Sequence, residues 1–388
     1  MFYNMKQVRF YLIITLIITI FGGCKQSGAE RDGVITVDVN ASYPKKELIL
    51  QDFMDVEYIP LETNDDFLCQ GEVLAVGKDI LIARNNNNDG DIFIFNRNGK
   101  ALKKINRKGQ GPEEYVYLES LILDEENGEM FVNSASTKKI LVYDLDGKFK
   151  RCFDHKQNYV YKIYNFDREN IICEDGVFYT GRSDNKPMLI IVSKMDGSIT
   201  KEISIPYKEK IGTSIYYEMN GRKGAATLTT SIYPVIPYNN NLIIVEPSAD
   251  TVYTFLPDYS LRPLIARTPS IQSMDPEKFL FMSVLTERYF FMETIRKILE
   301  SPSTDLIYDK QEKAVFEYTV FNSDYTNKRG VYMKSRPVNN EIATWQKIES
   351  FKLVEANKNG ELKNKLKEIA DGLDEDSNPV IMLIKHKK

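Results

Sequence analysis

The sequence predicts an all-β chain folded as a six-bladed β-propeller, with short accessory helices and closure by N- and C-terminal strands. Three observations predict it. Apolar runs come in pairs joined by tight-turn dipeptides, the pairs recur about every 50 residues, and a further apolar run stands near each end of the mature chain without a hairpin of its own.

The hairpins follow from residue chemistry. Ile92–Phe95 leads through Asn98-Gly99 to Ala101–Ile105, and Ile140–Tyr143 leads through Asp146-Gly147 to Phe149–Phe153. Leu189–Val192 leads through Asp196-Gly197 to Ile199–Ile205. Asn-Gly and Asp-Gly supply the positive φ angles that two-residue hairpin turns demand. Weaker copies run Thr251–Phe255, Pro257-Asp258, Leu261–Ala266 and Leu306–Tyr308, Lys310–Glu312, Ala314–Tyr318. The turns centre on 98, 146, 196, 258 and 311, spaced by 48, 50, 62 and 53. A period near 50 with about four strands per unit is a propeller signature. Leu121–Asp124 with Glu129–Val132, Tyr159–Phe166 with Asn170–Glu174, Asn241–Val245 and Arg288–Ile295 supply preceding strands, which gives five blades between about 67 and 322.

An open ring would leave bare strand edges, which template aggregation. Val34–Val39 and Val380–Ile384 are therefore expected to build the sixth blade between them. Two segments interrupt the repeat. Asp275-Pro276-Glu277 places an N-cap acid before a proline, which predicts a helix over 275–285. Glu361–Leu373 sets Leu362, Leu366, Ile369 and Leu373 on one helical face, predicting an amphipathic helix packed on the propeller as a plug or clamp. The mixed Lys and Glu of its other face suit solvent rather than a membrane surface.

The N-terminus reads as a targeting signal. Lys6 and Arg9 precede the apolar run Phe10–Cys24, which ends Phe21-Gly22-Gly23-Cys24. The run has the length of a secretory h-region, and a spanning helix needs about 20 apolar residues. The expected organisation is a lipoprotein signal peptide at 1–23, a lipid on Cys24, a tether at 24–33 and the propeller at 34–388, with Met1 or Met5 as the start. Such a chain is lipid-anchored in the cell envelope, with the outer membrane expected and its periplasmic or surface side open. Removing Lys6 and Arg9 with the signal takes the formal charge from −4 to −6, which argues against a nucleic-acid partner. Cys69, Cys152 and Cys173 are odd in number and scattered, so they form no disulfide framework. His155 and His386 are the only histidines; a Ser-His-Asp hydrolase or a His-ligated metal would rest on His155 alone, which reads as a solvated loop residue. No cofactor is expected. The oxygen-rich Asn85–Asp91 stretch suggests calcium but lacks the closing Glu of a calcium loop.

Ile105-Asn106-Arg107-Lys108-Gly109-Gln110-Gly111-Pro112-Glu113-Glu114-Tyr115, with Leu121–Asp124 and Ile140–Phe149 after it, resembles an NHL-type propeller repeat. It is more closely similar to the six-bladed β-propeller lipoproteins of the Bacteroidetes. That family combines a lipoprotein signal, a Gly-x-Gly-Pro-x-Glu-aromatic loop after the first hairpin and an Asn-Pro-hydrophobic terminal strand. Here the loop is Gly109–Tyr115 and the strand is Asn378-Pro379-Val380-Ile381-Met382-Leu383-Ile384. The loop occurs once, and the fourth and fifth turns depart from the pattern. The resemblance covers the mature chain and implies a propeller fold and an envelope location, with no catalytic residue to transfer. It implies a ligand- or protein-binding module, accessory to outer-membrane glycan or nutrient uptake, held to the membrane by its lipid. An outer-membrane protein, or a glycan or peptide ligand, is the expected partner.

Within the loop, Arg107, Glu113 and Tyr115 are candidate ligand-face residues, set against a structural role in which glycines and Pro112 let consecutive blades approach. The rival function is a propeller enzyme, a carboxylate-dependent glycosidase or a calcium-dependent lactonase. Acidic and Asn side chains clustered on the central channel would mark the enzyme, and aromatic and Arg side chains on one rim the binder. An axial funnel without polar convergence would mark a purely structural subunit.

Overall fold

Short apolar runs buried on both faces pack as strands between two neighbouring layers, and six such layers are arranged around one axis. The structure is a computed structural model that describes residues 30–31, 33–156, 159–176, 187–219, 221–228 and 233–387; the expected signal and Cys24 lie outside them. Four N-terminal strands come first: β1 (Glu30–Arg31), β2 (Val34–Asp38), β3 (Lys45–Ile49) and, after the single-turn helix α1 (Leu50–Phe53), β4 (Met54–Pro60). Blade I is β5 (Glu72–Val76), β6 (Ile80–Arg84), β7 (Asp91–Asn96) and β8 (Ala101–Asn106). Blade II is β9 (Ser120–Asp124), β10 (Glu129–Ser134), β11 (Lys139–Asp144) and β12 (Phe149–Asp154). Blade III is β13 (Val160–Asn165), β14 (Asn170–Asp175), β15 (Leu189–Ser193) and β16 (Ile199–Ile203). A separate hairpin, β17 (Ser214–Met219) with β18 (Arg222–Thr227), precedes blade IV: β19 (Val235–Tyr238), β20 (Asn241–Ile244), β21 (Thr251–Phe255) and β22 (Leu261–Thr268). Blade V is β23 (Lys278–Leu285), β24 (Tyr289–Arg296), β25 (Thr304–Asp309) and β26 (Ala314–Phe321), extended by β27 (Gly330–Val331).

The period of two along each strand assigns side chains to opposite seams. In β7, Ile92 and Ile94 pack towards blade II while Phe93 and Phe95 pack towards blade VI. In β10, Met130 and Val132 face blade I while Phe131 faces blade III. The core is therefore a set of seams between blades, and each blade depends on having a neighbour on both sides.

Blade VI closes the ring. It pairs β28 (Ile342–Ile348) with β29 (Val380–His386), and β29 with β4, from Val380↔Pro60 to His386↔Met54. The C-terminal strand stands where the sequence predicts it, but its N-terminal partner does not. Val34–Asp38 instead adds in parallel to the outer edge of blade IV (Ile35↔Ile265), as β3 does to blade V (Glu317↔Lys45). Both cover strand edges that would otherwise be bare. β4 takes the closing place because Ile59 fits the blade I seam while Met54, Val56 and Tyr58 fit the blade V side. Glu30–Arg31, the end of the expected tether, already pairs with β2.

The helix expected over 275–285 is a strand. Only Ile271–Ser273 makes a 3-10 turn, and Lys278–Leu285 is β23, buried from Phe279 onward on both faces. A continuously buried Phe-Leu-Phe-Met-Ser-Val-Leu run satisfies two seams, and that outweighs the cap-like Asp-Pro. The helix expected over 361–373 is confined to α3 (Asn364–Ala370), joined by a second, α2 (Ser350–Lys358). Leu353, Leu362 and Leu366 pack together against Val380, Tyr58 and Ile348, so the pair clamps the outside of blade VI.

Gly99 marks how tightly the closing strand meets blade I. It has φ +83°, and a Cβ there would lie 1.9 Å from the Pro60 carbonyl oxygen. Gly128, with φ +61°, has nothing within 4 Å. Gly99→Ala should therefore cost at least about 1 kcal/mol more than Gly128→Ala. Urea unfolding of the two variants checks this; equal losses would mean the Pro60–Gly99 contact yields freely.

Candidate functional site

The Gly-Pro loop is a wedge in the seam between blades I and II. Tyr115 is fully buried; its hydroxyl donates to the Gly90 carbonyl at 2.7 Å and accepts from the Arg107 N–H at 3.1 Å. Its ring meets Tyr143 edge-on, and the Tyr143 hydroxyl donates to the Glu113 carbonyl at 2.7 Å. Arg107 Nε donates to the Gly147 carbonyl at 2.8 Å. Burial pushes the Tyr115 phenol up to about 12, so it stays protonated as a donor. Arg107, Glu113 and Tyr115 are thus brought together, and each ties one blade to the next. The Arg107 and Glu113 side chains are exposed, and none of the three lines the axial cavity.

That cavity, of about 500 Å3, lies among the inner strands of blades I to IV and the start of blade VI. Blade VI makes it. The segment Tyr332–Asn339 runs back alongside β28: Gln346 Nε2 donates to the Tyr332 carbonyl, Thr344 Oγ1 to the Arg336 carbonyl, and Asn339 N–H to the Ile342 carbonyl. It takes the place of an innermost strand, but Arg336–Asn339 form no ladder. Pro337 has no N–H to give. The chain reverses at Asn339, whose Oδ1 accepts from Glu341 and Ile342 N–H and whose Nδ2 donates to the Val76 carbonyl of blade I at 3.0 Å. Asn340 Oδ1 accepts the Asn240 N–H at 3.1 Å, bridging blades VI and IV at the mouth.

The lining gathers Tyr164, Phe166, Phe255 and Trp345, the amides Asn165, Asn240, Asn241, Asn339 and Asn340, one carboxylate, Asp167, and one cation, Arg336. Lys162 of β13, next in sequence to the lining residue Ile163, feels the charge of Arg336; its ammonium stands 5.1 Å from the Tyr161 ring centroid and 5.5 Å from that of Tyr233. Burial holds the Lys162 ammonium below its ordinary range, with Glu174 and Glu119 opposing and Arg336 adding to the shift. Burial likewise lowers Arg336, against the pull of Tyr164 and Tyr233. Tyr164 donates to Glu174 Oε2 at 2.6 Å, and Arg84 pairs with Glu72 at 2.6 Å. Among the described residues no group of three or more His, Cys, Asp or Glu could hold a metal ion. In the Asn85–Asp91 stretch, Asn86 Oδ1 caps its own turn by accepting from Asn88 and Asp89 N–H.

Sequence reasoning missed Arg336 and Lys162. Neither sits in a motif; a Ser-Arg-Pro before Val338-Asn339-Asn340 and a lysine between two tyrosines are weak signals. The only tryptophan, Trp345, was visible but could not be placed on the channel.

His155 is not the solvated loop residue the sequence suggests. It is half-buried, with Nε2 2.9 Å from Asn133 Oδ1 and Nδ1 accepting the Val160 N–H at 3.4 Å, which fits the neutral Nε2-protonated tautomer. Asn133 in turn donates to the Val160 and Tyr161 carbonyls, joining blade II to the strand that carries Lys162. Burial lowers the imidazole from 6.5 to about 4. Between those values the unfolded chain binds the extra proton, so stability is full above 6.5 and falls by about 1.4 kcal/mol per pH unit below it. His155→Gln should flatten that part of the slope when urea unfolding is compared at pH 7 and 4.5. A slope identical in both proteins would contradict the assignment.

A family model described as a 6-bladed beta-propeller matches residues 25–344. Among solved structures, a Bacteroides fragilis protein proposed to be exported is 15% identical, with a TM-score of 0.57 over 89% of this chain and 99% of its own. A member of a domain family of unknown function from Bacteroides vulgatus is 12% identical, with a TM-score of 0.47 over 87% and 98%. Virginiamycin B lyase from Staphylococcus aureus is 12% identical, with a TM-score of 0.34 over 70% and 94%. These likenesses concern the fold. No curated protein matches the sequence.

Proposed function

Because the chain belongs to the 6-bladed beta-propeller family, we propose that it is a lipid-anchored binding module of a bacterial envelope, taking its ligand in the axial channel. The observation that carries this reading is the lining of that channel. Aromatic rings, side-chain amides and Arg336 converge on one cavity, the mixture expected of a site that holds a ligand by stacking and directional hydrogen bonds. A hydrolytic site of the glycosidase type needs two facing carboxylates, and Asp167 is the one carboxylate in the lining. A purely structural subunit would need no such polar convergence.

The lipoprotein pattern at Phe21–Cys24 supports anchoring through Cys24, and the outer membrane is the proposed location. Capture of a glycan or a peptide beside an outer-membrane uptake protein is the proposed role, in keeping with the Bacteroides origin of structures that share the fold.

Two measurements test it. Cys24→Ser should move the protein from the membrane to the soluble fraction, and gentle-detergent purification of the wild type should bring a stoichiometric outer-membrane partner with it. A Cys24→Ser protein that stays on the membrane would overturn the anchor. A wild type that purifies alone would count against the uptake role.

A further inference from the structure

Arg336 in the channel wall and Lys162 near it depart from the pairing seen elsewhere in the ring. Buried Lys and Arg are normally paired, because an unpaired charge away from water is costly. Five other arginines are not exposed, and each has a carboxylate or carbonyl partner. Arg84 has Glu72, Arg97 has Glu57, Arg151 has Glu129, Arg288 has Asp309, and Arg267 donates to the Pro269 and Lys278 carbonyls. The buried lysines behave alike: Lys194 pairs with Asp124, Lys210 with Glu246 and Lys334 with Glu293. Among the described residues, Arg336 and Lys162 have no such partner. No side-chain hydrogen bond or ion pair engages the Arg336 guanidinium, and Lys162 rests on tyrosine faces alone.

The acids near them are engaged elsewhere or stand further off. Glu72 holds Arg84, Glu174 accepts from Tyr164, and Glu119 makes no ion pair with Lys162. A guanidinium in a cavity wall presents parallel N–H donors that match the two oxygens of a carboxylate or related oxyanion. The rings of Tyr164 and Trp345 belong to the same wall and supply aromatic surface for the body of the same ligand.

We infer that the channel selects ligands carrying an oxyanion, seated on Arg336 with the Lys162 charge in support, and with the ligand body against the aromatic and aliphatic wall. This rests on the binding reading above and adds the chemical class of the ligand.

The sole tryptophan lies in the cavity wall, so its fluorescence reports occupancy. The test titrates the full chain, purified in detergent with its lipid, with 4-nitrobenzoate and with 4-nitrobenzamide, two quenchers that differ in charge at nearly constant shape. The expected result is saturable quenching of Trp345, half-complete at about tenfold lower nitrobenzoate than nitrobenzamide. Arg336→Gln should erase that preference and Lys162→Gln reduce it, while Arg336→Lys keeps part of it. Should Arg336→Gln fail to fold, the reduced preference expected of Arg336→Lys carries the test. Saturable quenching by both probes with no preference, unchanged in the variants, would overturn the oxyanion inference and leave the binding site standing. Absence of saturable quenching by either probe would overturn both.

Discussion

The whole architecture depends on the junction where the C-terminal strand meets the N-terminal one. Each seam of the core needs a blade on both sides, and the seams flanking blade VI exist only because β29 pairs with β4. Asn378 holds that junction. Its side chain donates to the Glu62 and Phe67 carbonyls at 2.7 and 2.6 Å and accepts the Cys69 N–H at 2.9 Å. Its own N–H reaches Thr63 Oγ1 at 2.7 Å, and its carbonyl accepts from Ser350. One buried amide thus binds the entry to the last strand, the link from β4 to blade I and the first turn of the clamping helices. Buried polar groups fully satisfied in this way specify one register and one closure.

The same blade makes the candidate site, by what it lacks. The five other blades offer a regular inner strand to the axis, paired in a ladder on its outer side. In blade VI the inner position falls to Tyr332–Asn339, which Pro337 keeps out of the ladder. The segment is held by contacts at its two ends and at Thr344, and it places Arg336, Asn339 and, just beyond it, Asn340 in the channel wall. A regular strand there would send its side chains alternately into the two flanking seams rather than into the channel. Local irregularity on a rigid frame is how binding residues are often positioned.

Much of the frame is legible in the sequence, for definite reasons. Asn98-Gly99, Asp146-Gly147 and Asp196-Gly197 encode turn conformations that few other residues adopt, so three blades could be read directly. Val380–Ile384 is apolar on both faces because it is sandwiched between two seams. Met54–Pro60 escaped notice because its outward positions carry Asp55 and Glu57, and Glu57 is occupied by Arg97 and Lys385. Lys278–Leu285 was obscured by cap-like residues before a run whose apolar pattern fits helix and strand equally. The site was the least legible part. Arg336 and Lys162 matter through their surroundings, and residues 162 and 336 come within electrostatic reach only once the ring has closed.

The most direct test of that link between closure and site is hydrogen exchange of Asn378→Ala against the wild type, with acrylamide quenching of Trp345 measured on the same samples. Loosening the junction should speed exchange together in 54–60, 380–386 and 342–348 and open Trp345 to the quencher. Faster exchange confined to the immediate neighbours of residue 378, with Trp345 as protected as before, would contradict the claim that the ring's closure builds the axial site.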